Sequence, residues 1–153
     1  MSSNPAREDL FHALNDALRE FSTDTIVFHQ AIADKLGLNP TDHKCLDMIL
    51  RNSPMTAGRL SELTGFTTGT VTGVLDRLEE AGYIYRDKDP NDRRKVIIHV
   101  RKDKAEREIY PLFQSLGTAI NTHLHDYSEK EVLFLLDFLA KCRSMMEEAR
   151  KQL

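Results

Sequence analysis

The 153-residue sequence is 41% apolar and 29% charged, ordinary values for a chain that folds as one domain or a small two-lobed unit. No apolar run approaches the roughly 18 residues that span a bilayer, the start MSSNPARED shows no signal peptide, and two distant cysteines do not suggest a disulfide framework, so a cytoplasmic location without membrane association is expected. The formal net charge of −3 does not advertise nucleic-acid binding, but residues 51–104 hold 11 Lys/Arg against 8 Asp/Glu, a basic middle between acidic ends.

Asn4 and Pro5 form an N-cap and first-turn pair. Leu10, Phe11, Leu14, Leu18 and Phe21 then follow helical spacing. The pattern weakens over Ser22-Thr23-Asp24-Thr25 and resumes with Ile26, Ile32 and Leu36, which predicts one long helix ending at Gly37. Thr41 or Asp42 is expected to open the second helix, with Cys45, Leu46, Ile49 and Leu50 on one face. Asn52-Ser53-Pro54 ends it, and Met55 is expected to add a short strand to a later sheet.

The segment TAGRLSELTG predicts a short helix with Leu60 and Leu63 inward, followed by a tight connection at Gly65 and Phe66. The next stretch, TTGTVTGVLDRLEEAGYI, organises the chain. Val71, Val74, Leu75 and Leu78 make one apolar helical stripe, Thr67 is the expected N-cap, and Gly82 marks the stop. The opposite face holds Gly69, Thr72, Gly73, Asp76, Arg77 and Glu80. Glycines there cost about 1 kcal/mol each relative to alanine, so close approach to some surface is expected to offset them. That surface is either another molecule or the protein itself. Helix, short turn and helix is the helix-turn-helix pattern.

Two β-rich runs follow, Tyr83-Ile84-Tyr85-Arg86 and Lys95-Val96-Ile97-Ile98-His99-Val100, around the turn Asp89-Pro90-Asn91-Asp92. A hairpin in that place is the wing of a winged helix. Ile109, Leu112, Phe113, Leu116, Ile120 and Leu124 then form a further helical stripe, which Pro111 is expected to kink or interrupt. Ser128 and Glu131 form a capping box for a last helix carrying Val132, Leu135, Leu136, Leu139, Cys142 and Met146.

The segments LSELTGFTTGTVTGVLDRLEEAGYI and DPNDRRKVIIHV resemble the MarR family of bacterial transcription regulators. The close match covers about a third of the chain. The resemblance implies a mainly α fold with a small β-wing. In it a winged helix-turn-helix lobe, residues 38–103, joins a helical dimerisation region from both termini, residues 1–37 and 104–153. It implies a homodimer on pseudo-palindromic double-stranded DNA, acting as a repressor that a small-molecule effector releases. The N-terminal half of the recognition helix would enter the major groove, which makes Thr68, Gly69, Thr70, Thr72, Gly73 and Arg77 candidate DNA contacts. In the wing, the resemblance assigns Arg94 to the minor groove and gives Asp92 a bracing role, through Arg77 or Arg86. Arg93 and Lys95 are expected to meet phosphates. Many members follow the wing with Leu-Thr and a later Lys-Gly. This chain instead reads Val100-Arg101-Lys102-Asp103-Lys104, where Asp103 and Glu106 are expected to cap the next helix.

No nucleophile motif, Walker loop or zinc spacing is present, so neither an enzyme, a metal site nor a cofactor is expected. Cys45 and Cys142 sit on apolar stripes, where structural cysteines are usual. Tyr110 and the histidines are candidates for an effector pocket, with nothing in the sequence to choose among them. The alternative function is a winged-helix protein-interaction module without DNA binding.

Overall fold

A computed structural model of the chain describes residues 5–93 and 95–153. Asn4 and Arg94, an expected cap and an expected wing contact, lie outside them. The order is α1 (Pro5–Leu36), α2 (Pro40–Asn52), β1 (Met55–Thr56), α3 (Ala57–Thr64), α4 (Thr68–Glu80), β2 (Ile84–Lys88), β3 (Val96–Val100) and α5 (Lys102–Lys104). A π-helical segment Ala105–Ile109, α6 (Tyr110–Leu124) and α7 (Glu129–Lys151) complete it. This is the expected mainly helical chain with one small sheet. It forms two compact units that divide between Tyr110 and Pro111. No described helix is long and apolar enough to cross a membrane.

The core of the first unit forms where α2, α3 and α4 meet the sheet. Val71, Val74, Leu75 and Leu78 of α4 are buried as their spacing predicts, and Leu60, Ile49, Leu46 and Cys45 face the same core. Burial of these side chains, worth about 1.5–3 kcal/mol each, holds the short helices that propensity alone would not. The short strand expected at Met55 joins the sheet, which is antiparallel in the order β1-β3-β2 with Met55 opposite Ile98. Met55, Ile84 and Ile98 close the core from the sheet side.

Helix ends follow local chemistry. The Thr67 side chain accepts from the Thr70 N–H, and α4 stops where Gly82 takes φ +77°. The Tyr83 N–H then returns to the Leu78 carbonyl at 3.0 Å and the Gly82 N–H to that of Glu79 at 2.9 Å, a Schellman closure. The start of α2 differs from expectation. Asn39 is the N-cap and Pro40 the first turn, with the Asn39 side chain accepting from the Asp42 N–H. Asp42 is therefore the third residue of the helix. Proline at the first position needs no N–H donor, which moves the start toward the chain's beginning.

The segment after the sheet also differs. The cap of α5 is Arg101, without a side-chain cap bond, while Asp103 pairs with Arg107 instead. The Arg101 N–H bonds the Tyr83 carbonyl at 2.9 Å, so the chain leaves the sheet and turns directly into the helix before Asp103 can cap it. The interruption expected from Pro111 lies just before it, as the π-helical turn Ala105–Ile109. Proline lacks the N–H that would continue an α-helical ladder, and a wider turn relieves the crowding.

Where α1 meets α2, the rings of His29 and His43 lie 5.4 Å apart. Burial lowers the pKa of both below 6.5, against the pull of Asp47, and His29 lowers that of His43 further. The unfolded chain therefore takes up protons first as pH falls. The lobe has its full stability above about pH 7 and loses part of it as pH drops below 6.5. Urea unfolding at about pH 7.5 and about pH 5.5 should show this loss, and His43→Gln should shrink it. An equal loss in that variant would contradict the assignment.

In the second unit, Ser128 and Glu131 form the expected reciprocal capping box of α7. Leu116, Ile120 and Leu124 of α6 are exposed, as are Leu135, Leu136, Leu139 and Met146 of α7; Val132 and Cys142 are half-buried. On α1, Leu10, Phe11, Leu14, Phe21 and Ile26 are likewise exposed, whereas Ile32 is buried.

Candidate nucleic-acid interface

Helix α4 turns its apolar stripe into the core and leaves the opposite face outward. Thr68, Gly69, Thr70, Thr72 and Arg77 are exposed, and Gly73 is partly so. The surroundings of the two glycines show whether α4 packs through them on its own protein. A Cβ on Gly69 would meet nothing within 4 Å, and one on Gly73 would touch only the Arg77 Nη1 of the same helix, at 3.4 Å. Neither glycine is there to let α4 pack against its own protein. The Thr72 hydroxyl donates to the Thr68 carbonyl at 2.9 Å, and Thr67 and Thr70 share a hydroxyl bond of 3.0 Å. The outward face is thus small and hydroxylic over its first two turns.

Arg77 is held from another helix. Its Nε donates to Asp42 Oδ2 and its Nη2 to Asp42 Oδ1, both at 2.7 Å. The carboxylate is nearly fully buried, while the Arg77 side chain stays 52% exposed. The hydrogen bond to Asp42 is the main reason the guanidinium is held further toward its charged form.

A second arginine fixes the wing to the helix. Arg86 of β2 donates from Nε and Nη2 to Glu79 Oε2, at 2.9 and 2.6 Å, and from Nη2 to Asp76 Oδ1 at 2.7 Å. Its backbone N–H reaches Glu79 Oε1 at 2.9 Å. These bonds to Arg86 hold the Glu79 carboxyl below its ordinary range. At the same C-terminal end of α4, Lys104 Nζ donates to the Ala81 carbonyl at 2.7 Å and lies 4.5 Å from the centre of the Tyr83 ring. Tyr83 donates its hydroxyl to Glu108 at 3.0 Å; burial, then this carboxylate, pushes its pKa to about 12.

The wing tip is a tight turn. The Asp89 N–H bonds the Lys95 carbonyl at 3.0 Å, the Lys95 N–H bonds that of Asp92 at 2.8 Å, and the Asn91 N–H bonds Asp89 Oδ1 at 2.7 Å. Arg93 and Lys95 are exposed, with no ion pair among the described residues. Arg77 and Arg86, the expected partners of Asp92, are engaged by Asp42 and by Glu79 with Asp76.

Of the residues considered for an effector, His99 and Tyr110 meet at one open cavity of about 880 Å³, together with Leu50, Tyr85, Arg101 and Glu106. The Tyr85 and His99 rings stack at 4.9 Å, and the Arg101 guanidinium lies 5.3 Å from the Tyr85 ring centre. Cys45 is buried, and burial pushes its thiol to about 11, so it holds no reactive thiolate near neutral pH.

The first unit carries a winged helix-turn-helix, with α3 and α4 as the paired helices and β2 and β3 as the wing. Comparison with known proteins places it further. The sequence profile of the MarR family matches residues 38–96. An uncharacterized HTH-type transcriptional regulator of Bacillus subtilis, YcgE, is 41% identical over the whole of this chain and 99% of its own length. The transcriptional regulator Tm0710 of Thermotoga maritima is 28% identical and superposes with a TM-score of 0.62, covering 90% of this chain and 96% of that one. A point mutant of MepR from S. aureus, solved bound to an oligodeoxyribonucleotide, shares the fold at 18% identity and a TM-score of 0.58, over 87% and 97%. The chain belongs to the MarR family of helix-turn-helix transcriptional regulators.

Neither Asp42 as the partner of Arg77 nor Glu79 with Asp76 as partners of Arg86 is foreshadowed in the sequence. No local pattern marks either set. Asp42 and Arg77 lie 35 residues apart.

Proposed function

We propose that the chain is a homodimeric repressor that binds a pseudo-palindromic double-stranded DNA operator and is released by a small-molecule effector. It acts in the cytoplasm and catalyses no reaction. Residues 38–103 form the DNA-binding lobe, and residues 1–37 and 104–153 the helical dimerisation region. The carrying observation is the outward face of α4, where two glycines cost helix stability yet contact no neighbouring element. A surface that is small, hydroxylic and followed by a cationic hairpin fits a DNA groove between phosphates. The exposed apolar residues of α1, α6 and α7 need a covering surface, and a second copy of the chain supplies it. An effector would sit in the cavity beside His99 and Tyr110, where the DNA-binding lobe runs into the helix that leaves it.

In this reading Thr68, Gly69, Thr70, Thr72 and Gly73 face the major groove, and Arg77 lies farther along the same face. Arg94 enters the minor groove and Asp92 braces the wing. A narrow minor groove concentrates negative potential, and arginine loses less hydration than lysine on entering it. Arg93 and Lys95 meet phosphates. The test is filter binding to random duplex DNA across a salt series. Affinity should fall steeply with salt, and Arg93→Ala and Lys95→Ala should each flatten the log-log slope by about one unit. Salt-independent or absent retention would favour the protein-interaction module.

A further inference from the structure

We infer that Asp42 is a positioning residue for DNA recognition: itself buried in the first turn of α2, it sets the Arg77 guanidinium so that one fixed edge faces the DNA backbone. The inference rests on the proposed DNA-binding role of α4. Asp42 is 2% exposed and cannot reach DNA itself. It is held in place from both sides of its own helix start. Its N–H donates to Asn39 Oδ1 at 2.8 Å, and Asn39 Nδ2 donates back to Asp42 Oδ2 at 2.7 Å. The carboxylate also sits at a helix N-terminus, where a negative charge is favourable.

The Arg77 fork is thereby divided. Nε and one hydrogen of Nη2 are committed to Asp42. Nη1 and the second Nη2 hydrogen remain, and together they form the end-on edge of the guanidinium. That edge suits a pair of acceptor oxygens such as a phosphate presents. Nη1 lies 3.4 Å from the position a Gly73 Cβ would take, so the open edge rests against the outer face of α4 one turn nearer its start. Arg77 stands in the C-terminal half of α4, where a recognition helix meets backbone rather than base edges. An unrestrained arginine would have to be ordered on binding, and the Asp42 clamp removes that cost beforehand.

The clamp predicts a sign that simple charge does not. Asp42→Asn raises the protein's charge by one, so Coulomb attraction alone would tighten every DNA complex. Loss of the fixed edge should instead weaken the complex that demands one register. The experiment compares wild type, Asp42→Asn, Arg77→Ala and the double variant, each full length. The probes are a duplex selected by the wild-type protein from a randomised pool, and the unselected pool itself. Thermal unfolding is followed alongside.

Asp42→Asn should bind the selected duplex at least about fivefold more weakly, while binding the pool as tightly as wild type or more so. In the Arg77→Ala background Asp42→Asn should add no further loss. If Arg77→Ala weakens binding and Asp42→Asn does not, the clamp is wrong and the DNA-binding role of α4 stands. If Asp42→Asn weakens both probes equally, Asp42 serves folding alone and the clamp is likewise wrong. If Arg77→Ala binds both probes as wild type does, Arg77 is not a DNA contact, and the failure lies in the reading on which the clamp rests.

Discussion

Leu139→Asp is expected to abolish dimer formation and operator binding together. Leu139 lies mid-way along α7, with Leu135, Leu136 and Met146 on the same stripe, and it is 52% exposed in the single chain. The helix itself tolerates the change, because aspartate there faces outward and costs only the difference in helix propensity, about 0.5 kcal/mol. In a dimer the same carboxylate would be pressed against apolar surface with no partner. An uncompensated buried charge costs about 3–5 kcal/mol, enough to lower association by roughly two to nearly four orders of magnitude. Sedimentation should show a monomer with unchanged circular dichroism. A Leu139→Asp protein that remains a tight dimer would remove α7 from the interface.

Gly73→Glu is expected to come near to abolishing operator binding while leaving the fold unharmed or slightly firmer. A side chain at position 73 meets no backbone and no neighbouring element, only the Arg77 Nη1 at ordinary contact distance. Replacing a mid-helix glycine with glutamate improves helix propensity by roughly 0.5–1 kcal/mol. The new carboxylate would stand one turn before Arg77 and compete for its open edge, at the same time placing negative charge against phosphate. Stability and DNA affinity should therefore move in opposite directions. Thermal unfolding and filter binding on the same sample check this. Wild-type affinity in Gly73→Glu would mean that α4 does not face DNA.

What the sequence disclosed was local. The α4 stripe of Val71, Val74, Leu75 and Leu78, the Thr67 cap and the Gly82 stop were legible because each depends on residues within one or two turns. The short strand at Met55 was legible as an addition to the wing sheet, while its pairing with β3 came only with the fold. The start of α2 is less legible: Asn39-Pro40 carries the same cap signal as Asn4-Pro5, but the hydroxyl and carboxylate of Thr41 and Asp42 compete with it in the sequence. The cap at Asp103 failed for a non-local reason, since the backbone bond between Arg101 and Tyr83 decides where the strand lets go.

The ion pairs that shape the site were not legible at all. Arg77 finds Asp42 across the packing of α2 on α4, and Arg86 finds Glu79 through the turn from α4 into β2. Periodicity tells which face of a helix is buried, not which charge from a neighbouring element will meet its exposed rim. The same limit applies to the outer face of α4, because spacing does not reveal that Gly69 faces open space and that Gly73 meets only Arg77 of its own helix.

Operator recognition by a dimer is tested by selection of duplexes from a randomised pool by the full-length protein, followed by sedimentation of the protein with the enriched duplex. An inverted repeat is expected, with half-sites centred about 10–10.5 bp apart, or a multiple of that, bound by two chains per duplex. A pool that emerges without an enriched sequence, or a duplex bound by a single chain, would contradict it.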